Sequence, residues 1–232
     1  MSNLLMTLEN VGCRYVVRTG RFRTKGYDAL RSISMEIHRG ETIGVIGRNG
    51  AGKSTLLRLI AGIIRPDSGT IMRHDNLSIS LLTLQLGFSQ ELSGRHNAIM
   101  GAMLLGHTKK EALAQLDKII AFAELEDWID EPLKTYSSGM KARLGFAVAM
   151  EMSPDVLLVD EVLGVGDLAF RDKSTKLMQE KMLSGQTVVF VSHALPTIKQ
   201  LCTRVVWIEN GETKMEGETD SVIAAYQAWT KK

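Results

Sequence analysis

The sequence has little cysteine. Cys13 and Cys202 are the only two in 232 residues, and they lie far apart. They form neither a disulfide framework nor a zinc site, and their scarcity fits a reducing compartment. Long apolar runs are also missing. No stretch approaches about 18 uninterrupted apolar residues, which excludes a helix crossing a bilayer. The opening residues MSNLLMTLEN lack the basic stretch and following apolar run of a secretory signal. Neither sign of charge dominates: 28 Lys and Arg against 26 Asp and Glu leave a net charge of +2. That is too balanced for binding nucleic acid by bulk electrostatics, although a local basic patch remains open. Low-complexity segments and internal repeats are absent. What is present is apolar mass. With 44% hydrophobic and 23% charged residues, the chain supports a core and is not wholesale disordered. Its length suits one large domain, or one domain carrying a smaller lobe.

Residues 4–17 and 28–38 read as strands joined by a polar connection. The run Thr42 to Ile46, bounded by Gly40 and Gly47, reads as a buried strand. Lys53 to Ala61 reads as a helix, with Leu56, Leu57, Leu59 and Ile60 apolar and Gly62 as its stop. A strand, a glycine turn and a helix open an α/β unit. From Phe88 to Tyr136 the pattern turns mostly helical. Thr108 and Glu111 fit a capping box there, and Ala112, Leu113, Leu116, Ile119, Ile120 and Ala123 follow at helical spacing. Two more buried strands follow, Val156 to Val159 and Thr187 to Val191. A hairpin spans 204–208 and 213–216 around Glu209-Asn210-Gly211, and a helix spans 219–229.

Gly47-Arg48-Asn49-Gly50-Ala51-Gly52-Lys53-Ser54 fits the phosphate-loop pattern G-x-x-x-x-G-K-[S/T]. Glycines let the backbone turn tightly and aim N–H groups at phosphate oxygens, and the helix starting at Lys53 adds its partial positive charge. Lys53 would reach the β- and γ-phosphates, and Ser54 would hold Mg²⁺. The plainer reading is a glycine turn, but a strand before and a helix after are the context the motif requires.

The strand Val156 to Val159 ends in Asp160-Glu161. Acids at the carboxyl end of a buried strand lie where α/β folds place ligands. Asp160 would bind Mg²⁺, and Glu161 would act on the attacking water as general base. Four weaker signals share this logic. His193 follows the strand TVVFV and could reach a γ-phosphate. Asp167 ends the loop Gly164-Val165-Gly166 and could touch a second subunit. Gln85 ends an apolar stretch, and Tyr15 could stack on an adenine ring. Their plainer readings are a surface histidine, a turn aspartate, a solvated amide and a half-buried strand tyrosine.

Tyr136-Ser137-Ser138-Gly139-Met140, followed by KARLGFA, resembles the signature of ABC-transporter ATPases, usually written LSGGQ. An aromatic strand residue, phosphate loop, glutamine, signature, acid pair, aspartate loop and histidine occur in the order of a complete ABC ATPase subunit. The resemblance runs from about Leu8 to Gly217. YSSGM, ARLGF and EVLGVGD look like the subfamily that exports capsule, O-antigen and teichoic acid. Ser138 and Met140 replace the first glycine and the glutamine of the signature, as in that subfamily.

The resemblance implies an α/β P-loop NTPase of ABC type, with a RecA-like sheet, an antiparallel β subdomain and a helical subdomain inserted at about 88–152. It implies nucleotide contacts at Tyr15, Gly47, Asn49, Gly50, Ala51, Gly52, Lys53, Ser54, Thr55, Gln85, Ser137, Ser138, Gly139 and Asp167. The metal contacts are Ser54, Gln85 and Asp160, and catalysis falls to Glu161 and the switch histidine His193. Gln90 stays open as the alternative to Gln85, and Tyr27 as the alternative to Tyr15. The cofactors are ATP and Mg²⁺.

Ser137 and Gly139 would contact the γ-phosphate held by a second copy, giving a head-to-tail ATP-sandwich dimer. Two copies of a transmembrane permease would sit on it at the cytoplasmic face of the bacterial inner membrane, moving a lipid-linked glycan, and no nucleic acid is expected. A soluble ABC ATPase acting on nucleic acid or ribosomes, an importer subunit and a P-loop kinase are the rivals. Tandem ATPase domains and long coiled-coil insertions, usual in the first, are lacking here. The wording YSSGM and GVGD argues against an importer, and a kinase would need neither the signature nor the acid pair.

Residues 16–27 carry Arg18, Arg21, Arg23, Lys25 and Phe22 with no acid. A basic loop of this kind suits a membrane surface or a lipid-linked phosphate, although a solvated hairpin loop is the plainer reading. The chain ends soon after its last expected helix, so no C-terminal carbohydrate-binding domain is expected.

Overall fold

The apolar runs read from the sequence form buried strands. The computed structural model describes residues 3–18, 24–82, 87–160 and 167–231. In chain order its elements are β1 (Leu4–Arg18), β2 (Thr24–His38), β3 (Thr42–Ile46), α1 (Lys53–Ile60), β4 (Ser68–Arg73) and β5 (Ile79–Leu81). Then come α2 (Gly94–Leu104), α3 (Lys109–Ala123), α4 (Ser138–Glu151), β6 (Val156–Asp160) and α5 (Leu168–Leu183). The chain closes with β7 (Thr187–Val191), α6 (Leu195–Leu201), β8 (Arg204–Glu209), β9 (Glu212–Glu218) and α7 (Thr219–Thr230). These fall into two units. The first is Met1–Leu77, Leu158–Glu161 and Met182–Lys232, and the second is Ser78–Leu157 and Val162–Lys181.

In the first unit the strand order is β4-β1-β2-β9-β8-β3-β7-β6. β3 pairs in parallel with both β7 and β8. Every residue of β3 and of β7 is buried, as continuous apolar runs in a parallel core require. β1, β2 and β4 form an antiparallel layer. That layer joins β9 through one ladder pair, Ser32 with Glu212. Side chains and a turn complete the joint. Ser34 N–H donates to Thr213 Oγ1 at 3.3 Å, and the Arg31 and Ser32 N–H groups donate to the Gly211 carbonyl at 2.7 and 3.2 Å.

Several elements differ from expectation. β2 starts at Thr24 instead of 28, and β1 runs on to Arg18. Val16 pairs with Gly26, Val17 with Lys25, and Arg18 with Thr24. Most of the expected basic loop is therefore hairpin ladder, because backbone pairing needs no apolar side chains. Arg21, Phe22 and Arg23 lie outside the described residues. β4 was not legible as a strand, since SGTIMR is an almost wholly exposed edge without alternation.

The second unit packs α2, α3 and α4 around Ala98, Leu116, Ile119, Leu144 and Val148, each no more than 5% exposed. Each large aliphatic among them contributes on the order of 1.5–3 kcal/mol by leaving water. α3 begins with the expected box. The Glu111 N–H donates to Thr108 Oγ1, and Glu111 Oε2 accepts from the Thr108 N–H at 2.7 Å. Val156 N–H donates to the Ser78 carbonyl at 3.1 Å, which seats the start of β6.

Candidate nucleotide-binding site

β3 and β7 run parallel with β6 beside β7, and residues at or just past the carboxyl ends of all three meet at one cleft. Ile46 leads from β3 into the phosphate loop, β6 ends on Asp160, and His193 lies two residues beyond β7. Together they border a cleft of about 310 Å³, lined by Tyr27, Ala29, Asn49, Gly50, Gly52, Lys53, Ser54, Thr55, Asp160, Val191 and His193. Asn49, Gly50, Gly52, Lys53, Ser54, Thr55, Asp160 and His193, eight residues named from the sequence, thus meet at one place.

The loop's shape follows from its glycines. Gly47 has φ 154° and Gly52 φ 101°, both in the region that favours glycine. A Cβ on Gly47 would meet the Ile208 carbonyl of β8, and one on Gly52 would meet the Ala29 carbonyl and the Leu30 side chain. Ala51 N–H donates to the Arg48 carbonyl at 3.1 Å, closing the turn. Ala51 itself is buried, so it and Gly47 shape the loop without lining the cleft. Lys53 is 7% exposed, and its ammonium donates to the carbonyls of Gly47 at 2.9 Å and Arg48 at 3.1 Å. A buried cation with fixed donors and the uncapped start of α1, which has no acid in its first turn, make the cleft a site for anionic oxygens.

The donor set also suits a hard cation. The Ser54 hydroxyl and the Asp160 carboxylate line the same cleft and are oxygen donors. Mg²⁺ takes one or two such protein oxygens and completes its shell with phosphates and water. No cluster of three His, Cys, Asp or Glu ligands occurs among the described residues, so this pair does not form an all-protein metal cage. His193 is exposed and follows buried Ser192, whose hydroxyl accepts from the Ala194 N–H at 3.1 Å.

The aromatic wall departs from expectation. Tyr27, on β2, lines the cleft, and Tyr15 does not. Tyr15 lies across from Tyr27 in the ladder and stacks on it, with ring centroids 5.5 Å apart and planes 27° apart. The Tyr15 hydroxyl is buried without a hydrogen-bond partner among the described residues. Tyr27 is therefore the ring that faces the cleft, and Tyr15 backs it. Ala29 and Val191 were missed. Each is a small or apolar residue beside a named one, and neither carries a chemical signal of its own.

Within the second unit, the signature opens α4 as expected. Ser137 is the N-cap, its hydroxyl accepting from the Met140 N–H at 3.1 Å, and Ser138 and Gly139 form the first turn. Tyr136 just before it is buried and donates to the Trp128 carbonyl at 2.6 Å. Burial first, then Asp130 and Glu131, push its phenol up to about 12. The Gln90 side-chain oxygen accepts from the Lys141 ammonium at 2.9 Å, and the Gln90 carbonyl accepts from the Lys134 N–H at 2.9 Å. The first contact holds Gln90 to α4 and the second to the turn that precedes it. Asp167 caps α5, its carboxylate accepting from the Phe170 N–H at 3.0 Å. Gln85 and Glu161 lie outside the described residues.

This is an α/β P-loop NTPase fold of ABC cassette type. An ATP-binding subunit of an ABC transporter superposes with a TM-score of 0.75, at 21% identity, over 96% of this chain and 93% of that one. A dimeric ATP-binding cassette in a post-hydrolysis state, bound to ADP and Pi, superposes with a TM-score of 0.71, at 21% identity, over 93% and 99%. The family description "ABC transporter" matches residues 30–164. The chain belongs to the ABC transporter family, as an ATPase subunit.

Among curated relatives, the O-antigen export system ATP-binding protein RfbB of Klebsiella pneumoniae is 45% identical over 201 residues, covering 87% of this chain and 81% of that protein. The teichoic acids export ATP-binding protein TagH of Lactococcus lactis is 46% identical over 211 residues, covering 90% of this chain and 45% of that protein. The chain thus spans most of the first relative and under half of the second.

Proposed function

We propose that this chain is the ATP-hydrolysing subunit of an exporter that moves a lipid-linked cell-surface polysaccharide. The observation that carries the reading is the 45% identity to an O-antigen export ATP-binding protein across 87% of the chain. The cleft supplies the chemistry. Lys53 and the loop amides hold the β- and γ-phosphates, and Tyr27 offers a face to the base. Ser54 and Asp160 would hold Mg²⁺, which would supply positive charge to the phosphate oxygens. Glu161 takes a proton as water attacks the γ-phosphorus, the bond to the β-phosphate oxygen breaks, and ADP and phosphate result. His193, at the cleft edge, steadies the γ-phosphate and the attacking water.

Ser137, Ser138 and Gly139 serve the nucleotide of a second copy, so two chains close head to tail around two nucleotides. Hydrolysis releases that closure, a two-state cycle biased by ligand. The dimer works beneath two copies of a transmembrane permease, at the cytoplasmic face of the inner membrane. No helix among the described residues is long and apolar enough to cross a membrane.

The test compares wild type with Glu161→Gln, each alone and in membranes holding the permease. The wild type should hydrolyse ATP, with turnover raised by the permease. The variant should lose hydrolysis yet form an ATP-dependent dimer in sedimentation. Full activity in Glu161→Gln would overturn the assignment of the base, and indifference to the permease would overturn the exporter reading.

A further inference from the structure

Arg48 belongs to the phosphate loop, yet its side chain does not line the nucleotide cleft. It reaches the C-terminal helix instead. Its guanidinium carbon lies 5.8 Å from the centroid of the Trp229 ring on α7. The backbone of the same residue is part of the cradle. Its carbonyl accepts from the Lys53 ammonium at 3.1 Å and from the Ala51 N–H at 3.1 Å. One residue therefore joins Lys53 to α7.

The far side of this link is firmly seated. Trp207 on β8 is 4% exposed, and its ring centroid lies 5.3 Å from that of Trp229 and 5.4 Å from that of Tyr226. Next along β8, the Ile208 carbonyl is the atom that leaves no room for a Cβ on Gly47. β8 thus supports the loop at Gly47 and supports α7 at Trp207. Arg48, Tyr226, Trp229 and Thr230 border an open hollow of about 650 Å³ over this seam. The Tyr226 phenol is raised, by burial first and then by Glu209, with Arg48 opposing, so both charges face it. Trp207 Nε1 and Glu209 Oε2 are buried there without hydrogen-bond partners among the described residues. Such orphaned atoms are costly to bury.

We propose that α7 is a latch on the phosphate loop. The cation of Arg48 on the face of Trp229 holds residues 47 and 48 in the turn that closes round Lys53. Nucleotide affinity then depends on where α7 sits, and Arg48 and Trp229 are positioning residues. The coupling is reciprocal: whatever draws α7 off Trp207 weakens ATP binding, and ATP binding tightens α7. This inference rests on reading the cleft as an ATP site.

The experiment is a double-mutant cycle on the Kd of a non-hydrolysable ATP analogue, measured by calorimetry. Arg48→Met keeps the length of the side chain and removes the charge. Trp229→Leu keeps bulk and removes the ring. Each should weaken binding about two- to fivefold, the range for a partly exposed cation on an aromatic face. The double variant should be no weaker than the weaker single, and Trp229→Phe should recover part of the loss. In Trp229→Leu, which lies outside the phosphate loop, saturated kcat should stay at the wild-type value while KM rises. Hydrogen exchange supplies the reciprocal readout: the analogue should slow amides 221–229 in the wild type and not in Arg48→Met. Unchanged Kd, additive losses, or α7 exchange indifferent to the analogue would each overturn the latch while leaving the ATP site standing. A wild type that binds no analogue would overturn both.

Discussion

Gly52 lies against the Ala29 carbonyl so closely that a methyl group on it would run into that oxygen. The phosphate loop is therefore seated on β2, the strand that also presents Tyr27 to the cleft. Loop and aromatic wall are set by one backbone contact.

Gly52→Ala should accordingly be much worse than Gly50→Ala. Both positions have left-handed φ, 101° and 80°, and strain of that kind costs on the order of 1–3 kcal/mol. A Cβ at Gly50 meets nothing within 4 Å, whereas one at Gly52 also displaces β2. Urea unfolding should show a loss near the strain cost alone for Gly50→Ala and a larger one for Gly52→Ala. Calorimetry should find ATP binding abolished only in the second. Equal losses would mean that the seat on Ala29 is unimportant.

Tyr27 and Tyr15 should separate in kinetics. Removing a ring that stacks on a base costs about 1–3 kcal/mol, or roughly 5- to 150-fold in affinity. Tyr27→Ala should raise KM for ATP within that range. Tyr15→Phe should leave KM unchanged and hold or improve stability, because it deletes a buried hydroxyl without a partner among the described residues. The reverse order of effects on KM would restore Tyr15 as the base-stacking residue.

Asp167 caps α5, and that alone gives it a structural task. Asp167→Ala should lower stability by about 0.5–2 kcal/mol, and Asp167→Ser should recover most of it. If the aspartate also serves the nucleotide of a second copy, Asp167→Ser should still lower ATPase turnover at wild-type stability. Full turnover in the serine variant would reduce Asp167 to a cap.

Cys202 should make the fold sensitive to alkali. Its thiol, ordinarily near 9.0, is pushed up to about 12 by burial. Between those values the unfolded chain gives up the proton while the folded chain keeps it. The unfolded state then binds fewer protons, so stability is fully present below pH 9 and falls as pH rises towards 12. Urea midpoints at a series of pH values from 8 to 10.5 should decline more steeply for the wild type than for Cys202→Ala. The raised phenol of Tyr136 acts in the same direction and stays in both proteins. Parallel slopes would remove Cys202 as the cause.

What was legible in the sequence was local. β3, the glycine turn and α1 fall where the motif places them, because eight contiguous residues specify the strand end, the turn and the helix start. The box at Thr108 and Glu111 is local in the same way. Choosing between Tyr15 and Tyr27 was not a local matter. The β1–β2 register shifts between Leu8 and Val11, between Val11 and Cys13, and between Cys13 and Arg14. Each shift can turn the following side chains to the other face, so alternation counted along β1 loses its phase before Tyr15. β4 and the early start of β2 escaped for a related reason: backbone pairing holds them in place, and their exposed side chains carry no pattern.

The antiparallel layer meets β9 through the single pair Ser32 and Glu212, helped by Thr213 and Gly211. Tyr27 stands on one side of this seam and Lys53 on the other. A nucleotide gripped by both is a further rivet through two plates already joined by that ladder pair and by the seat of Gly52 on Ala29. Its departure should remove one tie between the two plates while leaving every strand pair in place.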